Sequence, residues 1–230
     1  SVFNNDISGW DTSSVRDMSY MFSHCQSFNK PIGQWKTSQV TNMSHMLNNA
    51  SVFNQDISGW DTTNVTNMHG IFNKAAAFNN DISQWDTWAV NNMSHMFYQT
   101  SIFNQNISGW NTSNVNDMKG MFSSSNFNNN ISGWDTSSVR DMSYMFTDNF
   151  NFNQDITNWN TTKVTNMWSM FRGASSFNQP IGNWNTSNVT NMFSVFEDAT
   201  AFNQDIGNWD IHQVALISSI FKGAISFNQD

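Results

Sequence analysis

Only one cysteine, Cys25, occurs in 230 residues, so no disulfide can close within the chain. Charge is scarce as well. Asp, Glu, Lys and Arg make up 11% of the residues, less than half of the roughly 25% usual for soluble domains. Basic residues are the rarer sign, 9 against 17 acidic, and the formal net charge is −8. That argues against a nucleic-acid binder, which needs Lys and Arg to displace phosphate counterions. No apolar run is long enough for a membrane span. No basic-then-apolar leader opens the sequence. The first residue is Ser1 rather than Met, which reads as a mature or excised segment. Asparagine, by contrast, is abundant at 37 of 230 residues, and aromatics reach 15%. Disordered chains are poor in aromatics, so this composition argues against ordinary disorder.

The abundant residues are periodic. Phe-Asn recurs at Phe3, Phe28, Phe53, Phe78, Phe103, Phe127, Phe152, Phe177, Phe202 and Phe227. The spacing is 25 residues, with a single interval of 24. Residues 1–230 therefore read as one domain of nine repeats and the start of a tenth. With each Phe as position 1, Ile holds position 5 in all nine repeats, Trp position 8 and Val position 13. All 14 Met fall at positions 16 and 19, and 18 of the 20 Phe at positions 1 and 20. A repeat protein whose copies pack only on their neighbours has this signature.

Apolar residues at positions 13, 16, 19 and 20 are spaced 3, 3 and 1, which predicts a short helix or 3₁₀ run. The preceding Asp-Thr-Ser, as in Asp11-Thr12-Ser13, offers an N-cap. The Asn-x-x-Ile-x-x-Trp stretch is the candidate strand. The expected fold is a leucine-rich-repeat-like solenoid, one short strand and one short helix per repeat, in a parallel sheet with strands about 4.8 Å apart.

The string FNQDISGWDTTNVTNMHGIF, Phe53 to Phe72, has copies over nearly the whole chain. It resembles the BspA-like leucine-rich-repeat surface proteins, and more closely the bacterial surface 26-residue repeat of mycoplasma and Listeria lipoproteins. The period here is mostly 25. The resemblance implies an exported or cell-surface protein with a role in adhesion or protein binding, and it carries no shared catalytic residue.

Several polar columns run through the register. Position 2 is always Asn: Asn4, Asn29, Asn54, Asn79, Asn104, Asn128, Asn153, Asn178, Asn203 and Asn228. A structural ladder that satisfies turn backbones is the expectation there. Thr at position 10 reads as a helix cap, with an exposed ice- or carbohydrate-facing array as the sharper alternative. Asp at positions 4 and 9 forms acidic columns interrupted by Pro31, Lys36 and Pro180. They read as a solvated face rather than calcium sites. His45 and His95 share position 18 two repeats apart, about 10 Å by strand spacing, with His69 at position 17 between them. Ordinary exposed histidines are expected, with no metal and no cofactor. Cys25 stands where Ala50, Ala75, Ala174 and Ala199 stand, as a small core residue.

Outward breaks in the pattern carry the binding expectation. Trp168 and Phe193 occupy position 17 in adjacent repeats, and Tyr144, Tyr20 and Trp88 are further aromatics off the core phases. Exposed apolar clusters mark contact surfaces. The functional expectation is a non-enzymatic extracellular or cell-surface protein for adhesion, binding an extracellular protein or glycan. Two alternatives stand beside it: a structural protein assembling end to end, and a Thr-ladder ice binder. The first repeat is ordinary, and the ninth drifts to Ile211 and Leu216 where Thr and Asn or Asp usually stand. Neither is a polar cap. The segment is therefore expected to be cut from a longer array or to stack on other copies.

Overall fold

A repeat that buries the same side chains at the same phase must set each copy over the last. In the computed structural model, which describes residues 2–229, the chain does so. The stretch from position 16 to 23 is a run of tight turns. In the first repeat the N–H groups of Met21, Ser23 and Cys25 donate to the carbonyls of Met18, Tyr20 and Phe22, three residues back. The alternate residues Met18, Tyr20, Phe22 and His24 donate instead to Asn42, Ser44, Met46 and Asn48 of the next repeat. Every second N–H thus closes a turn, and every other one ties the turn to its neighbour.

This path needs the left-handed backbone region at positions 18 and 22. Tyr20 has φ 57° and His24 59°, and the pair recurs in every repeat through Ser219 at 59° and Gly223 at 71°. Four of these positions are glycine, namely Gly70, Gly120, Gly173 and Gly223, the residue that adopts this region without steric cost.

The expected leucine-rich-repeat-like architecture is therefore corrected in each of its parts. Among the described residues no helix forms at positions 13 to 20, and no extended strand forms at Asn-x-x-Ile-x-x-Trp. Nor is there a parallel sheet among the described residues. Beside the turn-to-turn bonds, strand-like pairing among the described residues is limited to single-residue parallel bridges through position 15, from Asp17–Asn42 to Asn191–Leu216. A helix needs consecutive N–H groups bonded along its own axis and an unbroken right-handed backbone. Here half of those groups point to the next repeat and two residues per repeat are left-handed. The strand fails because the chain bends at once: Trp10 N–H returns to the Ile7 carbonyl and Val15 N–H to the Thr12 carbonyl.

The inward phases form one column. Phe, Ile, Trp, Val and Met at positions 1, 5, 8, 13, 16, 19 and 20 are buried through the interior repeats. Phe rings of positions 20 and 1 stack within the core, as Phe72 on Phe78 at 3.9 Å. Equivalent rings follow one another along the stack, Phe78–Phe103 at 5.9 Å and Trp60–Trp85 at 6.2 Å. Each buried indole also meets a backbone acceptor of the preceding repeat, Trp110 Nε1–H donating to the Ile82 carbonyl at 3.1 Å. A buried tryptophan requires such a partner for its N–H.

The threonines at position 10 have a different task from the one expected. They are buried, Thr62 at 1% exposure. Thr62 Oγ1–H donates to the Asp86 carbonyl of the next repeat at 2.9 Å, and Thr112 does the same to Asp135. With no helix to cap and no exposed array, the column ties one repeat to the next.

Candidate functional site

The polar columns resolve into backbone fasteners. Each Asn at position 2 accepts the N–H of its successor on Oδ1, from Asn29 to Asn4 at 3.0 Å through to Asn228 on Asn203 at 2.9 Å. The side chain after it often adds a second bond, as Gln105 Nε2 to Asn79 Oδ1 at 3.1 Å. Asn4, Asn29, Asn54, Asn79, Asn104, Asn128, Asn153, Asn178 and Asn203 are all acceptors in this ladder. The acidic columns form Asx turns. Asp56 accepts from Ser58 N–H, Asp11 from Ser13 N–H and Asp17 from Ser19 N–H. Bonds from the Ser13, Ser19 and Ser58 side chains, then from the same residues' N–H groups, hold these three carboxyls below the usual aspartate range. Among the described residues no three His, Cys, Asp or Glu side chains group as a metal site. Cys25 is half-buried against the core.

Beside these structural columns, positions 17, 18, 21 and 22 form an outward strip that varies from repeat to repeat. The strip carries rings. Tyr20 stacks on His45 at 4.7 Å, His45 meets His69 edge-on at 4.4 Å, and His69 meets His95 at 5.7 Å. His95 then meets Tyr98 at 5.8 Å. Further along, Tyr144 lies 4.8 Å from Trp168, and Trp168 lies edge-on to Phe193 at 6.1 Å. Lys74 Nζ stands over the Tyr98 ring and Lys119 Nζ over the Tyr144 ring, each at 5.9 Å. Lys119 spans the interval between the two ring runs.

An open groove of about 700 Å³ follows this strip from His24 to Arg172. Asn48, Asn73, Ser123, Ser124 and Thr147 add amides and hydroxyls to its walls. Its charged lining is Lys74, Lys119, Arg172 and Asp148. Arg172 lies 3.7 Å from Asp148 and 3.5 Å from Glu197.

Local sequence explains the packing of the histidines. Glycine follows each position-18 histidine one repeat later, and the imidazole occupies the space a side chain would take. A Cβ on Gly70 would lie 2.7 Å from His45 Nδ1, and one on Gly120 2.5 Å from His95 Nδ1. Burial, then the neighbouring His69 and Lys119, pushes the His95 pKa down to about 4. Burial and His69 lower that of His45 too. Burial raises the carboxyl of Asp117 behind them.

Three of the aromatics singled out by sequence, Tyr144, Trp168 and Phe193, therefore share one run of contacts. Trp168 is 39% and Phe193 37% exposed. Trp88 does not join them. It stands at position 11 and is 54% exposed. The groove's lysines were not singled out, and His45, His69 and His95, expected as ordinary exposed histidines, are half-buried against one another. The readable signal was glycine one repeat on from His45 and His95, at Gly70 and Gly120.

No curated protein matches the chain. Five overlapping stretches, residues 1–80, 27–127, 55–158, 103–196 and 150–230, match a family described as "Mycoplasma protein of unknown function, DUF285". Covered throughout by tandem matches to one family, the chain belongs to the Mycoplasma DUF285 repeat proteins.

Proposed function

We propose that this is a non-enzymatic cell-surface repeat module that adheres to extracellular macromolecules through its ring-lined strip. One observation carries the reading. The Asn, Asp and Thr columns are committed to turns and to holding repeats together, while this strip varies and carries a groove lined by His, Tyr and Lys side chains, with exposed Trp168 and Phe193 on the same strip outside that lining. Aromatic side chains with few rotamers and a polar edge are the usual anchors of contact surfaces. The surface location follows the resemblance to mycoplasma surface repeats. No helix among the described residues is long and apolar enough to cross a membrane. A screen of the chain against arrays of glycans and matrix proteins tests the proposal. Retention on at least one class, lost when the groove is altered, is expected. Absence of retention on every array sinks the adhesion reading.

A second reading, end-to-end assembly, draws on the last described repeat. There Ile211, Leu216 and Ile217 are exposed, and Trp209, Phe221 and Phe227 line an open cleft of about 260 Å³. A further turn, whether from a longer chain or another copy, would cover that face. Sedimentation across a wide concentration range distinguishes the two readings, because only the second requires mass to rise with concentration.

A further inference from the structure

We infer that the ligand of the groove is an anionic glycan, a polymer of sugar rings carrying carboxylate or sulfate groups at intervals. This rests on the adhesion reading and narrows it. The first argument is charge. The chain has only 9 Lys and Arg against 17 acidic residues, yet three of the nine line this groove with a single carboxylate, Asp148. Arg172 is shared with Asp148 and Glu197. Lys74 and Lys119 have no carboxylate within ion-pair distance among the described residues. Each rests over a tyrosine ring instead, which leaves its ammonium facing the groove. Two cations outside any ion pair, two repeats apart, favour an anion on this face although Asp117 lies near Lys119, and the acidic remainder of the molecule repels it elsewhere.

The second argument is the surface along which the cations lie. Rings follow one another from repeat to repeat at 4.4 to 5.7 Å from Tyr20 to His95, and Tyr98 meets His95 at 5.8 Å within one repeat. They resume at Tyr144, Trp168 and Phe193. Side chains of this kind offer an apolar face to the C–H side of a sugar ring. The neutral Asn48 and Ser124 beside them, half-buried on the groove wall, suit a ligand rich in hydroxyls.

The alternatives fit less well. A nucleic acid carries a charge on every residue, and its binding scales with the number of phosphates neutralised. Two unpaired ammonium groups leave most of them facing an acidic chain. An acidic peptide satisfies the lysines but leaves the long run of rings without a matching partner.

The test uses the full chain and four soluble polymers followed by tryptophan fluorescence and calorimetry. Hyaluronate carries carboxylate alone, dextran sulfate carries sulfate alone, dextran is neutral, and polyglutamate is an acidic peptide. Binding of hyaluronate or dextran sulfate, weakened by salt and absent for the other two, is expected. The pair K74Q and K119Q should weaken it about tenfold, the loss of two partly exposed charge contacts. Gln99 already occupies the left-handed position 22 that Lys74 holds, so the Lys74 change should not disturb the turn. Lys163→Gln, a cation on another face, should leave affinity unchanged, and circular dichroism should show all variants folded. Equal binding of dextran overturns the charge requirement. Equal or tighter binding of polyglutamate overturns the glycan. Failure to bind any of the four, with retention on a matrix-protein array, overturns this inference while the adhesion reading stands. Failure on both removes the two together.

Discussion

At the residue scale the left-handed positions govern what each side chain can be. Fourteen non-glycine residues hold φ between 52° and 59°, so the fold carries unfavourable backbone geometry at most of its repeats. Glycine appears where a neighbouring side chain also needs the space. Gly120 meets both conditions, with φ 58° and His95 against its missing Cβ. Gly120→Ala should cost about 1–2 kcal/mol from the backbone alone, and more once the imidazole is displaced. Gly109→Ala, with nothing within 4 Å and no left-handed φ, should be nearly neutral. Urea unfolding of the two variants compares them directly. The same imidazole gives a pH dependence. The folded pKa of His95 is lowered from 6.5 to about 4, so on acidification the unfolded chain takes up this proton first. Stability should therefore decline as pH falls from about 6.5 toward 4 and then level off for this group. His95→Ser, the residue already found at positions 169, 194 and 219 with the same backbone, should flatten that slope. Thermal melts at stepped pH measure it, and an unchanged slope would place the histidine in solvent.

At the element scale the unit is the 25-residue turn, and its fasteners are side chains more than strands. Asn79 Oδ1 accepts both Asn104 N–H and Gln105 Nε2–H, each at 3.1 Å. Asn79→Ala leaves that N–H without its partner and should cost about 1–2 kcal/mol. Asn79→Asp keeps the acceptor and should lose much less. If the two variants melt together, the amide matters for something other than acceptance. The exclusive use of Asn at all ten copies has a ready cause in the same geometry. A column of aspartates one repeat apart would place like charges in line. Period, register and core phases were legible because burial repeats with the chain. Phe, Ile, Trp, Val and Met lie inside as their phases imply. The backbone was not legible, because apolar spacings of 3, 3 and 1 suit a helix face and a series of tight turns equally. The distinguishing residues, those at positions 18 and 22, are mostly Tyr, His, Ser, Asn, Lys, Gln and Asp. Only the four glycines there signalled a left-handed path.

At the scale of the whole molecule, stability is a sum of neighbour contacts, while the proposed recognition would draw on a strip that crosses many repeats. The rings of that strip contribute little to the core. Trp168 and Phe193 touch each other edge-on at the surface. Replacing both with serine should abolish or strongly weaken ligand retention and shift stability by less than about 1 kcal/mol, as surface changes do. Collapse of the fold on this change would make them core residues. Tyr144, Trp168 and Phe193 were visible in the sequence as exceptions within a column. The histidine run was hidden, because its contacts pass from position 18 of one repeat to position 17 of the next and back. A period alone does not reveal such offsets. The alternation of N–H groups between a turn and its neighbour also determines how the molecule bears load. Tension applied at one end meets the bonds of the outermost turn only, so the chain should unwind one coil at a time rather than all at once. Each released coil of 25 residues should lengthen the tether by up to about 80–90 Å. Under tension the protein would yield in regular steps, spooling out length while the coils behind stay wound.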